Sequence, residues 1–266
     1  MAKRKNIMSL SPGKWKPRLQ LAGRMMLRLM AGAAMAILIF VGFRWAHLTH
    51  QFEMVGVRIR GNHTLEKGEI LQWIRLPSGP ILTNIRVEDL QTRLEAHPYV
   101  KAARISRDFP STLQIDVVER VPLAYINHSP VHLIDAEGVI LPVRDQTFEF
   151  DIPTLSGFNP AEELYPEGKR CLSRKVLEAV DYLNLVQQHF PALYDDLSEV
   201  RINAGDEYVL YLTQYPTQIF LGAKELTRRL TLLHQFARTV HGIRSLHDYR
   251  YVDLRYKNQI VVRERG

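Results

Sequence analysis

The sequence predicts an α+β protein that a single transmembrane helix tethers to a membrane, and three observations support this fold class. Residues 29–43 form a run of fifteen amino acids without a charge. The following stretch, up to Val121, orders its apolar positions as strand, helix, helix, strand and strand, and the remainder is rich in strand patterns. The predicted divisions are a basic cytoplasmic tail (1–24), the transmembrane helix (25–45), a β-α-α-β-β domain (52–121) and a mainly antiparallel β domain with flanking helices (122–266).

The positive charge of the chain is concentrated near the apolar run. The formal net charge is +7, but nine of the 35 basic residues precede the first carboxylate, Glu53. The remaining 26 basic and 28 acidic residues leave the rest of the chain close to neutral. A neutral body lacks the basic face that nucleic acid binding requires. We therefore predict no nucleic acid partner.

The apolar run predicts an uncleaved membrane anchor. As a helix it spans only about 22 Å, but adding residues 25–28, with Arg28 directed towards the headgroups, extends it to about 28 Å. Trp45 then lies at the opposite interface. Eight basic residues precede the span and Arg44 alone follows it closely, which predicts a cytoplasmic N-terminus. A cleaved signal peptide is the alternative, but no small-x-small site follows Val41.

The β-α-α-β-β domain is predicted from patterns that follow one another closely. MVGVRIRGN alternates apolar and polar side chains as a half-buried strand does. Thr64 offers a cap to a short helix, which LPSGP at 76–80 ends. A second helix ends near Pro98, and two strands joined by the corner at 108–110 follow it.

The β domain begins with a predicted hairpin in VHLIDAEGVIL, which turns at 135–138. A helix is predicted from Ser173 to Phe190, and EVRIN, EYVLYL and TQIFLG predict three strands. A further helix, 224–240, precedes the hairpin YVDLRY and IVVRER, whose turn is Lys257-Asn258-Gln259. Consecutive strands with short turns favour an antiparallel meander, which leaves the final strand at an edge.

The sequence contains no recognisable catalytic motif. HExxH, GxSxG and phosphate-loop patterns are missing. His128 and His132 are four residues apart, but Pro130 between them argues against a shared helical face. Cys171 precedes a helix N-terminus, yet it is the sole cysteine, and a single cysteine most often only packs. We predict no catalytic residue, no cofactor and no metal site.

The last strand is the strongest candidate for a binding site. Ile260, Val261 and Val262 are β-branched, so both faces are apolar, and Arg263 and Arg265 supply the charges. An open edge exposes amide and carbonyl groups that proteins usually block. Either a loop covers this strand, or it accepts a strand of a partner. The residues alone leave both alternatives open.

Several motifs, in order after a single anchor, resemble the FtsQ/DivIB family of bacterial cell division proteins. They are RDFPSTLQIDVVERVPLA, HLIDAEGVILP, PTLSG, IFLGAKELTRRL and YVDLRY. The resemblance implies that residues 52–121 form a POTRA domain and that the chain is a non-catalytic scaffold of the division complex. It also implies a single-pass protein of the bacterial inner membrane at the division septum, with a periplasmic C-terminal domain.

The resemblance implies specific partners and a partner-binding hairpin. The POTRA and transmembrane region is expected to meet FtsK and other division proteins. The last hairpin is expected to take up a strand of FtsB, which comes with FtsL. The DLRY motif places Arg255 and Tyr256 in contact with that strand, although many relatives have a glycine where this chain has Asn258-Gln259. The expected partner-binding residues are Arg255, Tyr256, Lys257, Asn258, Gln259, Ile260, Val261, Val262 and Arg263.

Two other functions remain alternatives at this point. A membrane-anchored periplasmic cell-wall hydrolase draws two carboxylates from distant positions, which sequence patterns do not reveal. A POTRA-containing assembly or transport factor of the outer membrane carries repeated modules and a barrel of alternating segments. The sequence predicts one such module and no barrel.

Overall fold

The computed structural model describes residues 16–48, 53–77, 79, 81–144, 150–257 and 259–265. A long N-terminal helix precedes a three-stranded sheet and a nine-stranded sheet, each with helices beside it. This confirms the predicted α+β fold class. The described residues divide into two compact units, one from those within 1–57, 77–85 and 107–113, the other from those within 58–76, 86–106 and 114–266.

The N-terminal helix, α1, runs from Lys16 to Leu48. Its stretch Arg24–Trp45 has a mean hydropathy of 2.1 and is long and apolar enough to cross a membrane. The side chains of residues 24–45 are exposed to the surroundings of the chain. Apolar surface of this extent is unfavourable in water and matches the hydrocarbon interior of a bilayer. The predicted span 25–45 lies within this stretch.

The three-stranded sheet has the order β1-β3-β2. Its elements are β1 (Gly56–Arg60), α2 (Lys67–Ile74), α3 (Val87–Glu95), β2 (Val100–Asp108) and β3 (Thr112–Glu119). The predicted element order is therefore confirmed. Both helices bury their apolar side, with Ile74 and Leu94 fully inaccessible.

The predicted Thr64 cap is wrong, because the N-cap of α2 is Glu66, whose side chain makes no capping bond. The carboxylate of Glu119 instead accepts hydrogen bonds from the amides of His63, Thr64 and Leu65, at 3.0, 2.7 and 2.9 Å. These amides are thereby satisfied in the turn before the helix. Glu119 is the last residue of β3, so its carboxylate links the end of that strand to the turn before α2.

The nine-stranded sheet has the order β12-β11-β10-β9-β8-β7-β4-β5-β6. Its strands are β4 (Pro122–Ile126), β5 (His132–Asp135), β6 (Ile140–Pro142), β7 (Thr154–Ser156), β8 (Leu197–Ile202), β9 (Tyr208–Leu212), β10 (Gln218–Gly222), β11 (Tyr249–Asp253) and β12 (Val261–Glu264). The helices are α4 (Arg174–His189), α5 (Pro191–Asp195) and α6 (Leu226–Val240).

The sheet is mainly antiparallel, as predicted, but it is not a simple meander. Strand β7 is parallel to β4 and β8, and β10 is parallel to β11. Parallel neighbours need a crossover connection. Helices α4 and α5 supply it between β7 and β8, and α6 supplies it between β10 and β11.

One face of the nine-stranded sheet packs against α4 and α6. Leu155, Val200, Leu210, Ile219 and Val252 occupy the same register position on successive strands from β7 to β11, and all are buried. The helices cover this row with apolar side chains at three- and four-residue spacing: Val176, Val180, Leu183, Leu226, Leu230 and Leu233. The core therefore has a continuous apolar row that runs from β7 to β11, towards the last strand.

Candidate functional site

The last strand, β12, lies at one end of the nine-stranded sheet, as the sequence predicted. Among the described residues it pairs only with β11, in antiparallel register: Val261 with Asp253, Val262 with Val252 and Arg263 with Tyr251. Alternate residues of an antiparallel edge strand direct their amide and carbonyl groups away from the sheet. The outer side of β12 therefore offers a ladder for a further strand.

The two faces of β12 differ in polarity. Ile260 and Val262 are half-buried and pack against the core that α4 and α6 cover. Val261 and Arg263 alternate with them and lie on the opposite face, where Arg263 is exposed. A strand placed beside β12 therefore meets an apolar position on one face and a cationic position on the other.

Arg255, just before the last turn, is held by groups of its own chain. Its guanidinium donates to Asp253 at 2.6 and 2.9 Å and to Glu207 Oε2 at 2.9 Å, and it lies 4.9 Å from the centroid of the Phe220 ring. These hydrogen bonds raise the pKa of Arg255. Burial alone would raise the pKa of Asp253, but the bonds from Arg255 outweigh burial and lower it. We call Asp253, Arg255, Glu207 and Phe220 the Arg255 clamp.

The sequence motif alone did not indicate this internal role of Arg255. Asp253 and Arg255 are two residues apart, so their side chains share one face of an extended chain, and this signal was available. Glu207 directly precedes β9 and Phe220 is the central residue of β10, and only the sheet order brings these strands close to Arg255. The expected contact of Arg255 with a partner strand stays a prediction.

The far end of β12 is attached to the start of β11. Arg265 donates its backbone amide to the Asp248 carbonyl at 2.9 Å and its Nε to the Tyr249 carbonyl at 3.2 Å. Glu264 forms an ion pair with Arg244. These contacts fix the C-terminal end of the strand, and no backbone group among the described residues pairs with its outer ladder.

The remaining predicted residues differ in exposure. Tyr256 is 52 % exposed. Lys257 and Gln259 are exposed too. Asn258 lies outside the described residues, so the predicted turn geometry stays a prediction.

The opposite edge strand, β6, is covered. Ile140 donates its amide to the Lys169 carbonyl at 2.9 Å and accepts from the Gly168 amide at 2.8 Å. The hydroxyl of Tyr99 donates to the Pro142 carbonyl at 2.7 Å. Both kinds of outward group on β6, donor and acceptor, therefore have partners within the chain.

The other side chains weighed for chemistry are arranged as follows. The rings of His128 and His132 lie 5.8 Å apart, and His128 Nε2 is 2.6 Å from the Pro160 carbonyl oxygen. In the part of the chain that the structure describes, no group of three or more His, Cys, Asp or Glu side chains is placed to hold a metal ion. Burial raises the pKa of the Cys171 thiol, which favours its protonated, unreactive form.

Comparison with known proteins gives matches over most of the chain. A family profile described as "POTRA domain, FtsQ-type" matches residues 53–120, and one described as "FtsQ/DivIB, C-terminal related" matches residues 121–262. The chain is 28% identical over 249 residues to "Cell division protein FtsQ" of Rhodothermus marinus, which covers 91% of this chain and 88% of the relative. It is 25% identical over 257 residues to the protein of that name from Geobacter sp. (strain M21), covering 95% and 91%.

Proposed function

The chain belongs to the FtsQ/DivIB family of cell division proteins, and on this premise we propose that it is a non-catalytic scaffold of the bacterial division complex that captures a strand of FtsB on β12. FtsL arrives with FtsB. The observation that supports the proposal most directly is that no described residue pairs with the outer ladder of β12, whereas β6, at the other edge of the sheet, is closed.

The capture follows from ordinary strand pairing. An added strand satisfies the outward amides and carbonyls of β12, and each hydrogen bond contributes a net ~0.5–1.5 kcal/mol. Four to six such bonds give roughly a few kcal/mol before ordering costs, which suits a regulated complex. Tyr256, at the start of the turn, adds an exposed ring beside the incoming strand. Backbone pairing supplies affinity, and side chains supply selectivity.

The proposed topology places the capture site in the periplasm. Helix α1 anchors the chain in the inner membrane, and the basic residues before it keep the N-terminus in the cytoplasm. Residues 52–121 then form a periplasmic POTRA domain and residues 122–266 a periplasmic β domain. The POTRA and transmembrane region meets FtsK and other division proteins, and the assembly lies at the septum. The chain regulates cell-wall synthesis through its partners.

The proposal is tested by capture of FtsB and FtsL on the full-length chain in detergent. We expect Tyr256→Ala and removal of residues 258–266 each to abolish capture, with melting temperature as the check on folding. Leu172→Ala is the matched control, because Leu172 is 64% exposed and lies near the opposite edge. Unchanged capture after removal of the edge strand would refute strand addition.

A reporter that is active only in the periplasm, fused after Gly266, tests the topology separately. We expect a signal from the fusion. Silence of the reporter, with the fusion protein present in the membrane fraction, would overturn the assignment of the C-terminal side to the periplasm.

A further inference from the structure

We propose that β12 selects its partner strand by an alternating pattern, apolar side chains towards the helices and acidic side chains next to Arg263. This inference rests on the strand addition proposed above and specifies the chemistry of the strand. Three features of the described residues carry it: the apolar row that ends at Val262, the opposite face that ends at Arg263, and the unequal pairing of the charges near the edge.

The preference for apolar side chains on the partner strand follows from the buried apolar row that crosses the sheet on the face covered by α4 and α6. Val262 is in register with Val252, which is 0% exposed and continues the row through Ile219. Val262 itself is only half-buried, because within the described ranges β12 has a neighbouring strand on one side only. A side chain on an added strand at this position lies about 4.5–5.5 Å from Val262, measured between Cβ atoms. An apolar residue there extends the core by one strand.

On the face of the sheet opposite the helices, the row of side chains that reaches β12 ends at the cationic Arg263. Arg263 is in register with Tyr251, and Tyr251 with Gln218. This row is half-buried up to Tyr251 and exposed at Arg263. The neighbour that an added strand places beside Arg263 therefore stays near water, where a charged side chain keeps much of its hydration.

Several other charged side chains near β12 have partners within the chain, whereas Arg263 is available to pair with an acidic side chain of an added strand. Arg255 pairs with Asp253 and Glu207, and Glu264 pairs with Arg244. Arg265 donates to the carbonyls of His247 and Tyr249. Across the described ranges, Arg263 has no ion pair or side-chain hydrogen bond. Opposite charges on neighbouring strands attract and like charges repel, so Arg263 favours glutamate or aspartate and disfavours lysine or arginine.

Three labelled ten-residue peptides test the pattern by fluorescence anisotropy with the full-length chain in detergent. Valine alternates with glutamate in the first, with serine in the second and with lysine in the third. We expect the glutamate peptide to bind about threefold to fivefold more tightly than the serine peptide, and the lysine peptide to bind most weakly. Arg263→Gln should remove this preference, and Arg263→Glu should reverse it. Arg238→Glu, an exposed cation on α6, should leave it unchanged.

The outcomes separate this inference from the proposed function. Equal binding of the three peptides, abolished when residues 258–266 are removed, overturns the charge pattern and leaves strand addition standing. A preference for glutamate that persists in Arg263→Glu also overturns it. Absence of peptide binding, or binding that survives removal of residues 258–266, overturns both. Melting temperatures of the variants report whether a loss of binding follows from unfolding.

Discussion

The two outer strands of the nine-stranded sheet, β6 and β12, each have backbone groups that point away from the sheet, and among the described residues the two strands differ in whether those groups are paired. At β6 the backbone of residues 168–169 pairs with Ile140, and a tyrosine hydroxyl pairs with the last carbonyl. At β12 the described contacts are the pairing with β11 and, at the C-terminal end of the strand, the Arg265 amide bond and the Glu264–Arg244 ion pair. Proteins ordinarily block sheet edges because open ones pair with other chains. The contrast between a closed edge and one that the described residues leave accessible supports the proposal that a partner binds at β12.

Proline substitution at the two edges is expected to give the largest contrast. Val261→Pro and Val262→Pro remove neighbouring amides of β12, of which one points outward. For the outward position we expect FtsB capture to weaken about tenfold, the loss of one backbone hydrogen bond, with little change in melting temperature. The measurement is FtsB affinity by anisotropy.

The matched substitution at the other edge is Ile140→Pro, which removes the amide that donates to Lys169. It is expected to lower the free energy of unfolding by about 1–3 kcal/mol and to leave FtsB affinity unchanged. Equal loss of FtsB affinity from both edges would show that the difference between them has no functional meaning.

The Arg255 clamp predicts the next largest effect, on stability and on its pH dependence. Because the pKa of Asp253 is lowered in the fold, the ion pair stabilises the protein above about pH 4, and this contribution is lost as the pH falls through the folded pKa. Arg255→Ala leaves the buried Asp253 unpaired and is expected to cost about 1–3 kcal/mol at neutral pH, reduced by the partial exposure of Arg255. Urea unfolding at pH 7 and pH 3 measures this difference.

The comparison for the clamp is Arg238→Ala, which truncates an exposed arginine on α6. It should unfold like the unmodified chain at both pH values. If the Arg255→Ala variant is as stable as Arg238→Ala at pH 7, the Arg255 clamp does not stabilise the hairpin.

The smallest expected effect concerns the covered edge. Tyr99→Phe removes the hydroxyl that donates to the Pro142 carbonyl and keeps the buried ring. We expect a loss of about 0.5–1.5 kcal/mol in unfolding free energy. FtsB capture should not change, because the backbone bonds of Ile140 keep β6 closed. Binding of strand peptides by this variant would show that the Tyr99 hydroxyl is needed to keep β6 closed.

Local patterns in the sequence predicted the elements and the edge position of β12, because periodicity and turn residues are local signals. They did not predict the parallel neighbours of β7 and β10, since a crossover depends on where a helix packs after the chain leaves the strand. The cover of β6 was equally hidden, because Lys169 and Tyr99 are distant from Ile140 in sequence. Arg255 illustrates the same limit: the motif drew attention to the residue, and only the fold revealed Glu207 and Phe220 beside it.

The arginine on the outer strand has a consequence for copies of the chain that meet one another in the membrane plane. Two such edges, aligned antiparallel, would bring both Arg263 side chains to one face of a joint sheet, at opposite or diagonal positions. Repulsion between them disfavours self-association of unaccompanied molecules. Arg263, which favours an acidic partner strand, thus also disfavours homodimer formation through the outer ladder of β12.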